Sequence, residues 1–79
     1  MMFKKNDIIT GSKERYSITN MESLLKVVRV PSSRGTLMRV RLLEHQDKDY
    51  ISLIGQEYEV DSTYFKKISK IERVLRFNK

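Results

Sequence analysis

Leu25-Lys26-Val27-Val28-Arg29-Val30, then Pro31-Ser32-Ser33-Arg34-Gly35, then Leu37-Met38-Arg39-Val40-Arg41-Leu42-Leu43 is the stretch whose reading decides the fold. The first run is rich in Val and stops at a proline, which favours a strand over a helix. The middle run has the composition of a turn. In the third, Met38, Val40 and Leu42 share one face and Arg39 and Arg41 the other, the two-residue period of a half-buried strand. Together they predict a β-hairpin.

Working toward the N-terminus, Asp7-Ile8-Ile9-Thr10 is β-branched and closed by Gly11-Ser12, so it reads as a first strand. A polar loop from Ser12 to Tyr16 follows. Thr19 to Glu22 has capping-box spacing, enough for one helical turn. Toward the C-terminus, His45 to Asp49 reads as a polar, solvated loop, and Tyr50 to Ile54 is apolar and ends at Gly55. Gln56 to Val60 alternates again, with Tyr58 and Val60 inward and Glu57 and Glu59 outward. If this strand neighbours the one before it, Glu57 and Glu59 face Arg39 and Arg41 across the sheet. Asp61-Ser62 caps a turn.

Beyond that turn, Phe65, Ile68, Ile71 and Leu75 recur at near-helical spacing, with Lys66, Lys70 and Arg73 on another side. Ser69 to Glu72 repeats the capping box, so a fresh helix starts there. The competing reading is a last strand with Ile71, Arg73, Leu75 and Phe77 in one row, a poorer pattern because it places an arginine among apolar residues. Short strands separated by turn signals every 8 to 12 residues, as such signals are spaced in small all-β domains, predict a mainly β protein, a small five-stranded barrel or strongly bent sheet. Its expected core is Ile8, Val28, Met38, Val40, Leu42, Tyr58 and Val60.

Three segments carry a family resemblance: Phe3-Lys4-Lys5-Asn6-Asp7-Ile8-Ile9-Thr10-Gly11, Tyr16-Ser17-Ile18-Thr19-Asn20 with Val27-Val28, and Tyr58-Glu59-Val60-Asp61-Ser62-Thr63-Tyr64-Phe65. They resemble the small Src-homology-3-like barrels often encoded by bacteria and their phages. There an opening "F-x-x-G-D-x-V" strand precedes a "Y-x-x-T-N" loop, and a late strand leads through a short turn to a closing hydrophobic residue. Asn6 stands where that pattern has Gly, which Asn replaces in part because it tolerates positive φ. The resemblance implies a Src-homology-3-like barrel over residues 1–68, with 69–79 a basic C-terminal helix or extension. It also implies a binding module rather than an enzyme, host-takeover or counter-defence proteins that bind and inhibit a bacterial protein among them.

Seventy-nine residues make one domain with one core. Without cysteine there is no disulfide, thiolate nucleophile or cysteine-ligated zinc. The net charge of +6 is concentrated at one end. Residues 1–65 carry ten Lys/Arg against nine Asp/Glu, whereas Lys66, Lys67, Lys70, Arg73, Arg76 and Lys79 face Glu72 alone, a net of +5 on fourteen residues. That asymmetry points to nucleic acid or an acidic protein surface as partner, against the plainer reading of a solvated tail. The candidate binding residues are those six cations with Arg39 and Arg41, and with Tyr64 and Phe77 as aromatic anchors.

No catalytic set is expected. His45 is the only histidine, and the carboxylates near it, Glu44, Asp47 and Asp49, lack the pattern of a calcium or zinc site. Gly11, Gly35 and Gly55 are too far apart for a phosphate loop, so no cofactor or metal is expected. No leader or spanning segment is legible, and Ile68, Ile71, Leu75 and Phe77 are a weak membrane face without tryptophan. The expectations are a cytoplasmic setting, no membrane, and room for a homodimer.

Overall fold

The computed structural model describes residues 3–12 and 23–77. The capping box at Thr19 to Glu22, most of the loop before it, and Lys79 lie outside the described residues. Five strands form one antiparallel sheet: β1 (Ile8–Gly11), β2 (Ser23–Arg29), β3 (Leu37–His45), β4 (Glu57–Asp61) and β5 (Phe65–Lys67), in the order β4-β3-β2-β1-β5. One helix follows, α1 (Lys70–Phe77). The β2–β3 hairpin forms where the alternation requires it, and Met38, Val40 and Leu42 are all fully buried.

Of the two expected forms, barrel and bent sheet, the barrel is corrected to an open sheet: β4 and β5 are its two edges, and no ladder joins them among the described residues. A single sheet with no second layer buries a core only by folding over it. Val60, near one edge, and Phe65, at the other, accordingly belong to the same cluster as Phe3, Ile9, Leu25, Val27, Met38, Val40 and Leu42. The β2–β3 register shifts twice, between Leu24 and Leu25 and between Val27 and Arg29. Leu43 is the extra residue on β3 at the first shift and Val28 the extra residue on β2 at the second, and bulges of this kind bend the strands that carry them.

Those bulges also correct part of the expected core. Ile8 and Val28 are only half-buried, while their neighbours Ile9 and Val27 are fully inside. Val28 is a bulged residue, and β1 pairs Ile9 with Leu25, setting Ile9 on the core face. Tyr58 is half-buried and packs against the cluster from its margin.

Asn6 adopts φ +75°, the left-handed conformation that the glycine of the resembling pattern would supply. It closes a tight turn in which the Asp7 N–H donates to the Lys4 carbonyl (3.1 Å) and the Lys4 N–H to Asp7 Oδ2 (2.8 Å). At the other end of the sheet the apolar run Tyr50 to Ile54 is wound into a 3₁₀ turn, Lys48–Leu53. Its exit needs Gly55 at φ +91°. Asp61 caps a second 3₁₀ turn, Ser62–Tyr64, by accepting from the Thr63 N–H at 3.0 Å, and Phe65 follows directly as a buried residue.

Candidate functional site

The basic C-terminal segment is split between two elements. Lys66 and Lys67 lie exposed on the short edge strand β5, and Ser69 then resets the chain into α1 by accepting the Glu72 N–H on its hydroxyl at 3.1 Å. Phe65 and Ile68 therefore precede the helix and do not share its phase. Both turn inward, Phe65 buried and Ile68 half-buried, as expected.

The helix does the opposite of what the sequence pattern predicts. Ile71 and Leu75, whose near-helical spacing with Phe65 and Ile68 predicts one shared apolar face against the sheet, are 73% and 79% exposed, and Val74 between them is 47% exposed. Arg73, expected outward, is half-buried, and so are Glu72 and Arg76. Phe77 is the inward anchor at 9% exposure. The reason lies in the hydrogen bonds and ion pairs of the inward side: Arg76 Nη1 meets Glu72 at 3.0 Å, Lys66 reaches the same carboxylate at 3.8 Å, and Gln46 Nε2, just past β3, donates to the Arg76 carbonyl at 2.7 Å. The outward apolar row Ile71, Val74, Leu75 has i, i+3, i+4 spacing. The helix start at Ser69 was legible from its capping box, but grouping Ile71 and Leu75 with Phe65 and Ile68 hid this row.

Beside the helix start, an open cleft of about 390 Å³ is lined by Asn6, Asp7, Ile8, Lys67, Ile68, Lys70 and Arg73. It gathers three of the expected binding residues around a single carboxylate, Asp7, which Lys67 meets at 3.5 Å. The Arg73 Nε is buried and has no hydrogen-bond partner among the described residues. Arg76 is turned away, and its guanidinium lies 5.6 Å from the ring of Phe77.

The remaining candidates are not brought to this cleft. Arg39 and Arg41 lie on β3, both bound to Glu57 of β4 at 2.9 and 2.6 Å, while Glu59 takes Arg29 at 3.3 Å. The β3–β4 pairing sets Arg39 and Arg41 opposite Glu59 and Glu57 as the alternation suggested, but both arginines converge on Glu57, and Glu59 pairs instead with Arg29 of β2. Hydrogen bonds from Arg39 and then Arg41 hold the Glu57 carboxyl below its ordinary value. A carboxyl lowered in the folded state contributes stability above its unfolded value, and that contribution is lost as pH falls through the folded one. The stability advantage of the native chain over Glu57→Gln should therefore be full at neutral pH and vanish on acidification past the ordinary glutamate range. Urea titrations of both chains across pH measure it.

Phe77 is inside and offers no open ring face for stacking a base, and Tyr64 is half-buried against the core. His45 is not in a solvated loop. It ends β3 opposite Ser23 and is only 7% exposed. Its Nδ1 accepts the Asp47 N–H at 3.0 Å, and its ring lies 4.8 Å from that of Tyr50. The bulge at Leu43 shifts the alternation by one residue, so that His45 rather than Glu44 continues the inward row. Asp47 caps the following 3₁₀ turn by accepting from the Asp49 N–H. Among the described residues no three His, Asp or Glu side chains gather as a metal site requires, and no helix is long and apolar enough to cross a membrane. No protein-family model matches the chain, and no curated protein or solved structure shows significant similarity to it.

Proposed function

We propose that this protein is a non-enzymatic binding module for an anionic macromolecule, engaged where β5 meets the start of α1. The observation that carries the reading is the gathering of Lys67, Lys70 and Arg73 around one cleft with only Asp7 to oppose them. Arg29, Arg39 and Arg41 of the sheet are each ion-paired, to Glu59 or Glu57, and so offer less to a partner than the cations of this cleft. The Src-homology-3-like reading draws support from Asn6 at positive φ and from the short turn that leads out of β4 to Phe65, although such a scaffold serves many unrelated sites. Nucleic acid and an acidic protein face are the two partner classes. The exposed row on α1 favours the protein, a host enzyme blocked by a phage-type binder being one form of it.

The test is binding to a single-stranded and a duplex oligonucleotide and to an acidic polypeptide such as polyglutamate, at two salt concentrations. Affinity for at least one should fall steeply with salt. For nucleic acid the log–log slope is about −0.7 (single strand) or −0.9 (duplex) per phosphate contacted. The double reversal Lys67→Glu, Lys70→Glu should weaken it by about tenfold or more, while Arg39→Glu leaves it within about twofold. Salt-independent binding, or equal losses from both variants, would overturn the reading.

A further inference from the structure

Lys70 lines two features at once. It closes the basic cleft with Lys67 and Arg73, and it borders a shallow groove whose other walls are Ile71, Val74 and Leu75. The cation cluster and the exposed apolar face of α1 are thus one continuous surface, half charged and half aliphatic. Three aliphatic side chains of one short helix are left in water, and each gains from being covered by a partner. An amphipathic helix whose charged side is turned inward presents the side normally used for packing.

We propose that this surface docks an acidic segment of a partner protein that carries aliphatic or aromatic anchors, its carboxylates entering the Lys67–Lys70–Arg73 cleft and its anchors covering Ile71, Val74 and Leu75. The proposal rests on the binding-module reading and names the partner class. Charge complementarity selects this occupant. A second copy of the chain brings a net +6 of its own. Four of its carboxylates, Asp7, Glu57, Glu59 and Glu72, are already engaged by its own cations. Three side chains of an eight-residue helix also fall well short of the roughly 800 Å² per partner of a stable dimer. Nucleic acid satisfies the cleft but has no aliphatic surface to lay on Leu75. A flat anionic bilayer would want cations along both borders of the apolar row, whereas Glu72, one turn before Leu75 and Arg76, lies on the far border. A protein segment supplies both halves of the match, with the anchors giving affinity and the carboxylates steering the encounter.

The experiment selects binders to the full chain from a displayed library of random peptides, then measures their affinity for the native protein and for Leu75→Ser, Ile71→Ser and Lys70→Glu. Both serine changes are at exposed positions, and unchanged thermal unfolding confirms that each variant is folded. The expected result is enrichment of peptides that combine Asp or Glu with Leu, Ile or Phe, bound about tenfold or more weakly by Leu75→Ser and by Lys70→Glu. Oligonucleotide and phosphatidylglycerol vesicles, measured in parallel, should be indifferent to Leu75→Ser. The proposal is overturned by selected peptides without acidic enrichment, by peptide binding that survives both serine changes, or by vesicle binding or self-association that Leu75→Ser abolishes. Salt-dependent oligonucleotide binding lost with Lys70→Glu, together with a selection that yields no acidic peptides carrying apolar anchors, would sink this inference alone and leave the binding-module reading standing.

Discussion

Replacing Phe65 by Ala is expected to remove about 3–5 kcal/mol of folding stability, the cost of emptying a buried aromatic site. Phe65 is buried at the one point where the edge strand β5 meets the cluster built by the other four strands, and Gly11 of β1 pairs with it. Small domains hold roughly 0.05–0.15 kcal/mol per residue, so such a loss is comparable to the whole stability of a chain of this size. Leu75→Ala, an apolar truncation ten residues later, should change stability by no more than about 0.5 kcal/mol because Leu75 touches mostly water. Urea unfolding of the two variants side by side makes the measurement. Equal losses would mean that α1 packs with its apolar side inward after all.

His45→Ala should cost about 1–3 kcal/mol, a structural loss rather than a catalytic one. The imidazole is buried at the end of β3, takes the Asp47 N–H on Nδ1 and lies against the Tyr50 ring, so its removal opens a gap and strips the following turn of its acceptor. His45→Asn, whose amide oxygen sits near the place of Nδ1, should recover part of the loss. Thermal unfolding of the three proteins decides it: an alanine variant as stable as the parent would return His45 to the solvated loop that its polar neighbours suggest.

His45 illustrates where the sequence was legible and where it was not. Strands with strict alternation announced both their existence and their face, as Met38, Val40, Leu42 and Val60 show. Doublets of equivalent residues announced only the strand. Ile8-Ile9 and Val27-Val28 carry no phase of their own, and the choice between the two members was made by register and by a bulge, which depend on residues far along the chain. The inward turn of His45 has the same origin, since one extra residue at Leu43 reverses every side chain after it. For the binding surface, the cations of the C-terminal segment were visible as a cluster, but their division was not. Lys67, Lys70 and Arg73 share a cleft because β5 lies beside β1 and brings Asp7 opposite them. Arg76 is drawn inward by Glu72, its i, i+4 partner, and its carbonyl is held by Gln46, thirty residues away and linked to it by no periodicity.

The pairing of β1 with β5 also has a kinetic meaning. Ile9 lies beside Lys67, so this ladder closes a loop of most of the chain, whereas β2, β3 and β4 meet through short connections. The entropy of bringing two ends together must be lost before their contacts return anything, which makes such a closure the slow event in folding. The β2–β3–β4 meander can assemble early, on local contacts alone. A chain whose last strand has not yet arrived would leave the edge of β1 unpaired and the core face beside it open.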